Sequence, residues 1–200
     1  MRKNLIISIV YTAVTTVLLG IVYPLLMTGL AQVFFHDQAN GQLVTENNTI
    51  IGSKIIGQAF TGDRYFHSRP SAAGNGYDAS SSGGSNFGPT NKKYIDRVAG
   101  DVAALQTTAP GQSVPIDLVT SSGSGLDPDI TPAAAEFQVQ QVAKARGMSE
   151  EKVKALVAKN TTERQFGLLG EPRVNVLELN LDLDRSIHPL DEQHPNENPK

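Results

Sequence analysis

Residues 5–27 read LIISIVYTAVTTVLLGIVYPLLM, and this apolar run contains no acidic or basic side chain. At about 1.5 Å of rise per residue, a helix of this length spans a hydrocarbon core of about 30 Å. A cleaved signal peptide would have a shorter apolar region, of about 7–15 residues, followed by small residues at a cleavage site. The run therefore predicts an uncleaved membrane anchor within residues 1–35.

Basic residues flank the apolar run closely on one side only. Arg2 and Lys3 precede it, and the next basic residue is Lys54. Because flanking positive charge is retained in the cytoplasm, the N-terminus is predicted to be cytoplasmic. Residues 36–184 are then predicted to form an exoplasmic domain, followed by a mobile tail at residues 185–200 that is rich in proline and charge.

Small residues recur every four positions along the predicted anchor. The stripe comprises Ser8, Thr12, Thr16 and Gly20. Residues four apart share one side of a helix, and small side chains let a second helix approach closely. The stripe predicts docking against a partner helix, although Thr and Gly are also common in spans that dock to nothing. Pro24 continues the spacing and is expected to kink the helix near its outer end.

The composition excludes several classes of function. The 200 residues carry a formal net charge of −3 and contain no cysteine. Net negative charge argues against nucleic-acid binding, which needs clustered Lys and Arg. The missing cysteine excludes disulfides, thiolate metal sites and thiol nucleophiles. After Lys3 the chain holds 15 basic and 20 acidic residues, and this net charge of −5 is typical of a solvated surface.

Three segments after the anchor show helical spacing of apolar residues behind suitable caps. They lie at residues 91–106, 132–146 and 150–159, and the caps are Thr90, Thr131 and Ser149. Helices are therefore predicted at these three places.

Short strands are predicted where apolar residues come in brief or alternating runs. Such runs lie within residues 49–56, 114–120 and 174–183. The first fits a small strand or a tight turn. In the last, the alternation of apolar residues shifts phase after Val176, which suggests a bulge or a strand that is apolar on both faces near its start. With residues 36–48 as a polar linker, the pattern predicts an α+β domain with few strands and two or three helices.

A long segment without a helical or strand pattern lies at residues 64–91. Loops longer than about 15 residues in a compact domain are usually functional or disordered. The loop contains a weak candidate phosphate cradle, because glycines let backbone N–H groups converge on an oxyanion. The cradle residues are Ser82, Gly83, Gly84, Ser85 and Asn86. The Gly-Lys-Ser/Thr ending of a P-loop is missing and the loop is predicted to be exoplasmic, so a structural or partner-contacting role is preferred.

Two further patterns resemble chemical sites but lack essential residues. Ser122 and Ser124 lie in a Ser/Gly run, yet no serine there has Gly at both −2 and +2, as a nucleophile elbow requires. Asp127 and Asp129 open like a calcium loop, but the Gly and Glu that complete one are missing, so the two are expected to fix a turn. The scattered histidines are His36, His67, His188 and His194. No catalytic or metal site is predicted. The alternative to a non-catalytic role is a membrane-anchored exoplasmic hydrolase.

Four separated segments resemble one family closely. They are YF at 65–66 with RPSA at 69–72, SGGSN at 82–86 with GPTN at 88–91, VPxDLVT at 114–120 with SGSGLDP at 122–128, and GEPRVNV at 170–176 with LN at 179–180. Together with the single N-terminal span, they resemble the C subunit of the bacterial Kdp potassium-transporting ATPase. The resemblance covers nearly all of the chain to about Asp184.

The resemblance implies a non-catalytic subunit of a bacterial inner-membrane complex that takes up potassium with ATP. In that family the partners are a potassium-selecting channel-like subunit, a P-type ATPase subunit and a small single-span subunit. These partners handle ATP and K⁺, so no cofactor is expected on this chain. The family is described as a catalytic chaperone that raises the pump's affinity for ATP, and we expect such coupling to pass through the anchor helix.

The resemblance also directs attention to the loop at residues 64–91 as the surface that meets a partner. Arg69, Asn86 and Asn91 are the predicted partner contacts within it. We expect the exoplasmic domain to sit on the outer face of the channel-like subunit and to stabilise the assembly.

Overall fold

A computed structural model describes residues 1–187 of the chain. It divides into two compact units, Met1–Ser53 and a second unit that begins at Lys54. The predicted domain boundaries stay predictions. His188, His194 and the predicted tail beyond its first three residues lie outside the described residues.

The first unit begins with one continuous helix, α1, at Arg2–Phe34. None of its residues is buried, and its large apolar side chains are exposed. Among residues 1–187 it is the one helix long and apolar enough to cross a membrane. The predicted single N-terminal apolar helix is therefore confirmed.

Helix α1 changes its hydrogen-bonding geometry just before Pro24. Leu18–Val22 form a π-helical segment, after which the N–H of Tyr23 donates to the carbonyl of Leu18, five residues earlier. Proline lacks an N–H, and its ring crowds the carbonyl four residues before it, so a wider turn relieves that contact. Where the sequence predicts a kink, the structure shows a π-helical turn.

A short helix and a hairpin complete the first unit. Helix α2 is His36–Ala39, and strands β1 (Leu43–Glu46) and β2 (Thr49–Ser53) pair in antiparallel fashion. Asn47 and Asn48 join the strands with φ of 49° and 61°, a conformation that asparagine adopts more readily than most residues. The predicted polar linker is wrong because it holds a helical turn and a strand, whereas the small strand predicted after it is confirmed.

In its described part, residues 54–187, the second unit packs four helices against a small sheet. The helices are α3 at Lys92–Thr108, α4 at Pro132–Arg146, α5 at Glu150–Lys159 and α6 at Val176–Ile187. The strands are β3 at Asp129–Ile130, β4 at Thr161–Thr162 and β5 at Arg173–Asn175. They form an antiparallel sheet in the order β3-β5-β4. The α+β class is confirmed, with one helix more than the sequence pattern predicts.

Helices α4 and α5 begin and end where the sequence predicts. Thr131 and Ser149 each accept a hydrogen bond from the backbone N–H three residues later, at 3.2 and 3.4 Å. Gly147 ends α4 in the left-handed conformation, with φ of 66°. Local capping chemistry therefore sets these boundaries.

The core of the second unit is formed chiefly by α4, α5, α6 and β5. Its largest fully buried apolar side chains are Phe66, Val139, Val142, Val153, Val174, Val176, Leu179 and Leu183. Because burying one side chain of this size stabilises a fold by about 1.5–3 kcal/mol, this cluster is the main source of hydrophobic stabilisation.

Helix α3 packs more loosely than the other long helices. None of its residues is buried, and a cavity of about 610 Å³, lined in part by Leu105 and Phe137, lies between α3 and α4. Its cap is Asn91, not the predicted Thr90, because the Oδ1 of Asn91 accepts the N–H of Lys93 at 2.9 Å.

The predicted strand at residues 114–120 is wrong. The segment contains a 3₁₀ turn at Ile116–Leu118. Pro115 has no N–H to donate to a β-ladder. The buried carboxylate of Asp117 also accepts the N–H of Thr131 at 2.8 Å, which ties the turn to the start of α4.

The strand predicted at residues 174–183 is wrong beyond its start. Strand β5 ends at Asn175, whose Oδ1 accepts the N–H of Glu178 at 3.1 Å and so caps α6. The buried residues Val176, Leu179 and Leu183 then follow at spacings of three and four, as on one face of a helix. The break in alternation marks the transition from strand to helix, and not a bulge.

Candidate partner interface

Two buried amide side chains hold the start of the long loop. The Oδ1 of Asn180 accepts the N–H of Phe66 at 2.9 Å, and its Nδ2 donates to the Phe66 carbonyl, also at 2.9 Å. Gln138 makes the corresponding pair with His67, at 2.7 and 3.1 Å. Each pair resembles the two bonds that facing residues exchange in an antiparallel sheet. The buried backbone of the loop is therefore satisfied without a strand.

Arg69 joins this loop to residues 120–128, and we call residues 64–91 and 120–128 together the loop platform. The Nη1 of Arg69 lies 3.3 Å from the Oδ2 of Asp127. Its other nitrogens donate to the carbonyls of Thr120 and Ser121, at 3.3 and 3.4 Å. Because these donors point at its own chain, a partner would meet only the 26% of the Arg69 side chain that stays exposed.

Ser71 is the second link inside the loop platform. Its hydroxyl donates to the carbonyl of Gly125 at 2.6 Å and accepts the N–H of Tyr77 at 2.7 Å. The hydroxyl of Tyr77 in turn donates to the carbonyl of Arg69 at 2.5 Å. Burial raises the pKa of Tyr77, and the charge of Asp127 adds to the rise, so this phenol stays a donor at neutral pH.

The candidate phosphate cradle packs against the other half of the platform. The Oγ of Ser82 and the N–H of Gly83 both donate to the carbonyl of Ser124, at 3.0 and 2.8 Å. A Cβ on Gly84 would lie 3.0 Å from the carbonyl oxygen of Gly123. Gly84 thus permits close packing of two loops, and the N–H of Gly83 is already bonded to Ser124 instead of facing an oxyanion.

The outer residues of this loop face solvent to different degrees. Ser85 is half-buried, whereas Asn86 is exposed and has φ of 54°. Asn91 is also exposed, but its carboxamide oxygen caps α3. The structure therefore places the three predicted contacts in different roles: Arg69 bonds within the platform, Asn91 caps a helix, and Asn86 presents its side chain at the surface.

The serine run forms no nucleophile–base pair within the described part of the chain. The hydroxyls of Ser122 and Ser124 lie 3.4 Å apart, and the Ser124 hydroxyl accepts the N–H of Leu126 at 3.1 Å. The ring of His67 lies 3.1 Å from the carbonyl of Gly62. A serine nucleophile needs a base within hydrogen-bond reach, so this geometry does not favour the hydrolase alternative.

Acidic side chains line a small cavity beside Arg69. The cavity of about 290 Å³ is lined by residues that include Asp117, Asp127, Asp129, Arg69 and Arg173. Burial raises the pKa of Asp129, against the lowering effect of hydrogen bonds from Asn175 and Arg173. Ion pairs at 3.3 and 2.9 Å join the two arginines to Asp127 and Asp129. Within residues 1–187, no group of three or more His, Cys, Asp or Glu is arranged to hold a metal ion.

The predicted docking stripe of α1 is exposed along its length. Ser8 donates to the carbonyl of Leu5 at 2.9 Å, and Thr12, Thr16 and Gly20 also face outward. Gly20 lies within the π-helical segment. Helix docking by this stripe stays a prediction.

Sequence patterns singled out Arg69, but they did not indicate three other residues that hold the loop platform together: Asn180, Gln138 and Ser71. Helical spacing could have placed Asn180 on a buried face, but its segment reads equally well as an alternating strand. Nothing in the sequence distinguishes Gln138 from Gln140. Both are glutamines of helix α4, yet Gln138 is buried and Gln140 is exposed. Ser71 lies within the RPSA segment, where its contact with Gly125 depends on a distant part of the chain.

Comparison with known proteins identifies close relatives. A family described as "K+-transporting ATPase, c chain" matches residues 5–185. The chain is 68% identical to the potassium-transporting ATPase KdpC subunit of Koribacter versatilis, with 92% of this chain and 95% of the relative covered. The KdpC subunits of Acidobacterium capsulatum and Rhodospirillum rubrum are 60% and 54% identical, over 89% and 92% of this chain and 96% of each relative.

The fold and the loop platform define a class: an α+β protein with one candidate membrane helix at its N-terminus. The matches narrow this class to one family. The chain belongs to the KdpC family, the C subunits of K⁺-transporting ATPases, and the resemblance inferred from the sequence is confirmed.

We expect Asn180→Ala to lower the free energy of unfolding by about 2–4 kcal/mol, because both backbone groups of buried Phe66 would lose their partners. Thermal unfolding of the full chain in detergent, followed by near-UV circular dichroism, measures the change. Asn75→Ala is the control, since Asn75 is exposed and its loss should matter by less than about 0.5 kcal/mol. Equal stability of the two variants would contradict the role given to Asn180.

We expect Gly125→Ala to destabilise the chain by about 2 kcal/mol or more. Gly125 has φ of 67°, and a Cβ there would lie 2.6 Å from the Gly83 carbonyl oxygen. Gly123→Ala is a matched control in the same loop, because its Cβ would meet no atom within 4 Å. Chemical denaturation of both variants tests this, and a Gly125→Ala variant as stable as Gly123→Ala would show that the two loops do not pack as described.

Proposed function

We propose that this chain is a non-catalytic subunit that stabilises an assembled potassium-uptake complex, in which partner subunits handle ATP and K⁺. The observation that carries the proposal is the loop platform, held by internal hydrogen bonds, on a chain of the KdpC family. A surface that is already ordered binds another protein without the entropy cost of ordering it.

The partners in this proposal are a potassium-selecting channel-like subunit, a P-type ATPase subunit and a small single-span subunit. The domain lies on the outer face of the channel-like subunit and contacts it through the loop platform. Asn86 supports this assignment because its side chain is presented at the platform surface, while the exposed part of Arg69 lies on the same loop.

The proposed location is the bacterial inner membrane, with a cytoplasmic N-terminus and a periplasmic domain. The support is the charge around α1, because Arg2 and Lys3 lie in its first turn and the next basic residue is Lys54.

We propose that any effect of this subunit on ATP affinity is indirect. The N–H of Gly83 is bonded to Ser124, which leaves the candidate cradle poorly suited to phosphate. A subunit that binds one conformation of the pump better than another shifts the pump's equilibrium, and it thereby changes ATP affinity without touching the nucleotide. In this proposal, α1 carries the coupling.

Ending the chain after Asp37 tests the proposed role of the domain. We expect the remaining anchor to reach the membrane but to leave the complex unstable, so that less ATPase subunit co-purifies and potassium uptake falls. The full chain is the control, and the anchor is quantified in membranes by immunoblot. Assembly and uptake at the level of the full chain would refute the proposal.

Replacing Thr16 and Gly20 together with Leu tests the stripe on α1. We expect helix association to weaken by about 1–2 kcal/mol, because larger side chains separate the two helices. The matched control is Val10→Leu with Val14→Leu, two exposed positions on the opposite side of α1. Co-purification of the ATPase or channel-like subunit in mild detergent gives the readout, and an unchanged yield from the Thr16/Gly20 variant would refute docking by the stripe.

A further inference from the structure

A hairpin arm projects from the small sheet between β4 and β5. We call residues 163–171 the apolar arm, and every residue in it is exposed. Gln165 and Leu169 bridge the two sides of the arm. The arm therefore projects from the domain without adding side chains to its core.

The tip of the apolar arm carries three large apolar side chains. Phe166 is 88% exposed, Leu168 80% and Leu169 58%. Large exposed apolar side chains grouped within four residues are typical of an interaction surface.

Hydrogen bonds and an ion pair hold the arm in a defined shape. The N–H of Gln165 donates to the carbonyl of Leu169 at 2.8 Å, and the N–H of Leu169 donates back at 2.9 Å. Arg164 and Glu171 form an ion pair across the arm. The three apolar side chains are therefore carried on an ordered backbone and not on an unstructured loop.

Phe166 is a poor residue for the position it occupies. Its φ of 56° is in the left-handed region, where a bulky side chain is strained and Asn or Gly would be favoured. Its ring is also exposed, so it gains little from burial. A residue that breaks two local rules without stabilising its own fold is expected at a functional surface.

We propose that the apolar arm docks into an uncharged apolar socket on another protein subunit of the ATPase complex, with Phe166, Leu168 and Leu169 as the anchors. This inference rests on the proposed function, since it assigns one contact of the assembled complex. It adds a second contact surface to the loop platform.

Charge favours a protein socket over an anionic lipid surface or a second copy of this chain. Elements that bind anionic lipid carry excess Lys and Arg, whereas residues 163–171 have a net charge of −1 and their one arginine is paired with Glu171. Two copies of a chain with a net charge of −5 after Lys3 would repel each other. An apolar pocket in a different protein requires no excess of basic residues on the arm and does not bring two acidic copies of this chain together.

The first experiment compares Phe166→Asn and Leu168→Ser with the parent chain in the co-expressed complex. We expect each variant to be retained about tenfold less well than the parent during detergent washes. Asn suits the left-handed conformation, so Phe166→Asn should unfold at the same temperature as the parent or higher, which separates lost docking from lost folding. Ile95→Ser is the matched control, because Ile95 is 51% exposed on α3. Equal retention of the parent and both arm variants would overturn the proposal.

The second experiment places a photo-crosslinking amino acid at residue 166, with residue 95 as the control position. We expect an adduct with one co-expressed subunit of the complex at residue 166 and none at residue 95. Adducts only with a second copy of the chain, or only with lipid, would overturn the proposal. If the parent chain did not co-purify with a P-type ATPase subunit at all, both the proposed function and the proposed docking of the arm would be refuted. If the arm variants co-purified with the complex as well as the parent chain does, only the proposal for the arm would be refuted.

Discussion

Both backbone groups of Phe66 and of His67 bond to side-chain amides in the interior of the domain. Asn180 on α6 and Gln138 on α4 thereby supply the hydrogen bonds that a neighbouring strand would supply in a sheet. Buried backbone groups without partners are costly, so this arrangement is what allows a long irregular segment to enter the core. Phe66 is fully buried as a result, and the loop that follows begins from a fixed point.

A second set of contacts reinforces that fixed point. The side chain of Arg146 is only 1% exposed, forms an ion pair with Asp184 at 2.9 Å and lies 4.8 Å above the ring of Tyr65. Its Nε also donates to the carbonyl of Arg64. Helices α4 and α6 therefore hold the loop from both sides. From this base, Arg69 and Ser71 extend the order to residues 120–128, and a surface without regular secondary structure becomes a defined platform, which we propose contacts a partner.

Parts of the structure with local causes were predictable from the sequence. Helix α1, the ends of α4 and the start of α5 follow from apolar content and from caps at Thr131, Gly147 and Ser149. The errors arose where tertiary contacts decided the backbone. Apolar and polar residues alternate in residues 114–120 as in a strand. The structure instead has a 3₁₀ turn there, in which the carboxylate of Asp117 accepts the N–H of Thr131. The alternating leucines after Val176 fit a strand or a helix, and the cap by Asn175 together with the core selected the helix.

The sequence by itself determined that the chain has an N-terminal helix with an uncharged apolar run at residues 5–27, a polar α+β remainder and a family resemblance that the comparisons confirmed. These properties depend on composition, short-range spacing and motif identity, which a linear chain displays directly. Only the tertiary structure decided that Asn180 and Gln138 satisfy a buried loop, that Gly83 bonds to Ser124, and that the Phe166 side chain projects into solvent. Each of these depends on contacts between distant residues or on burial, and neither is encoded in local sequence patterns.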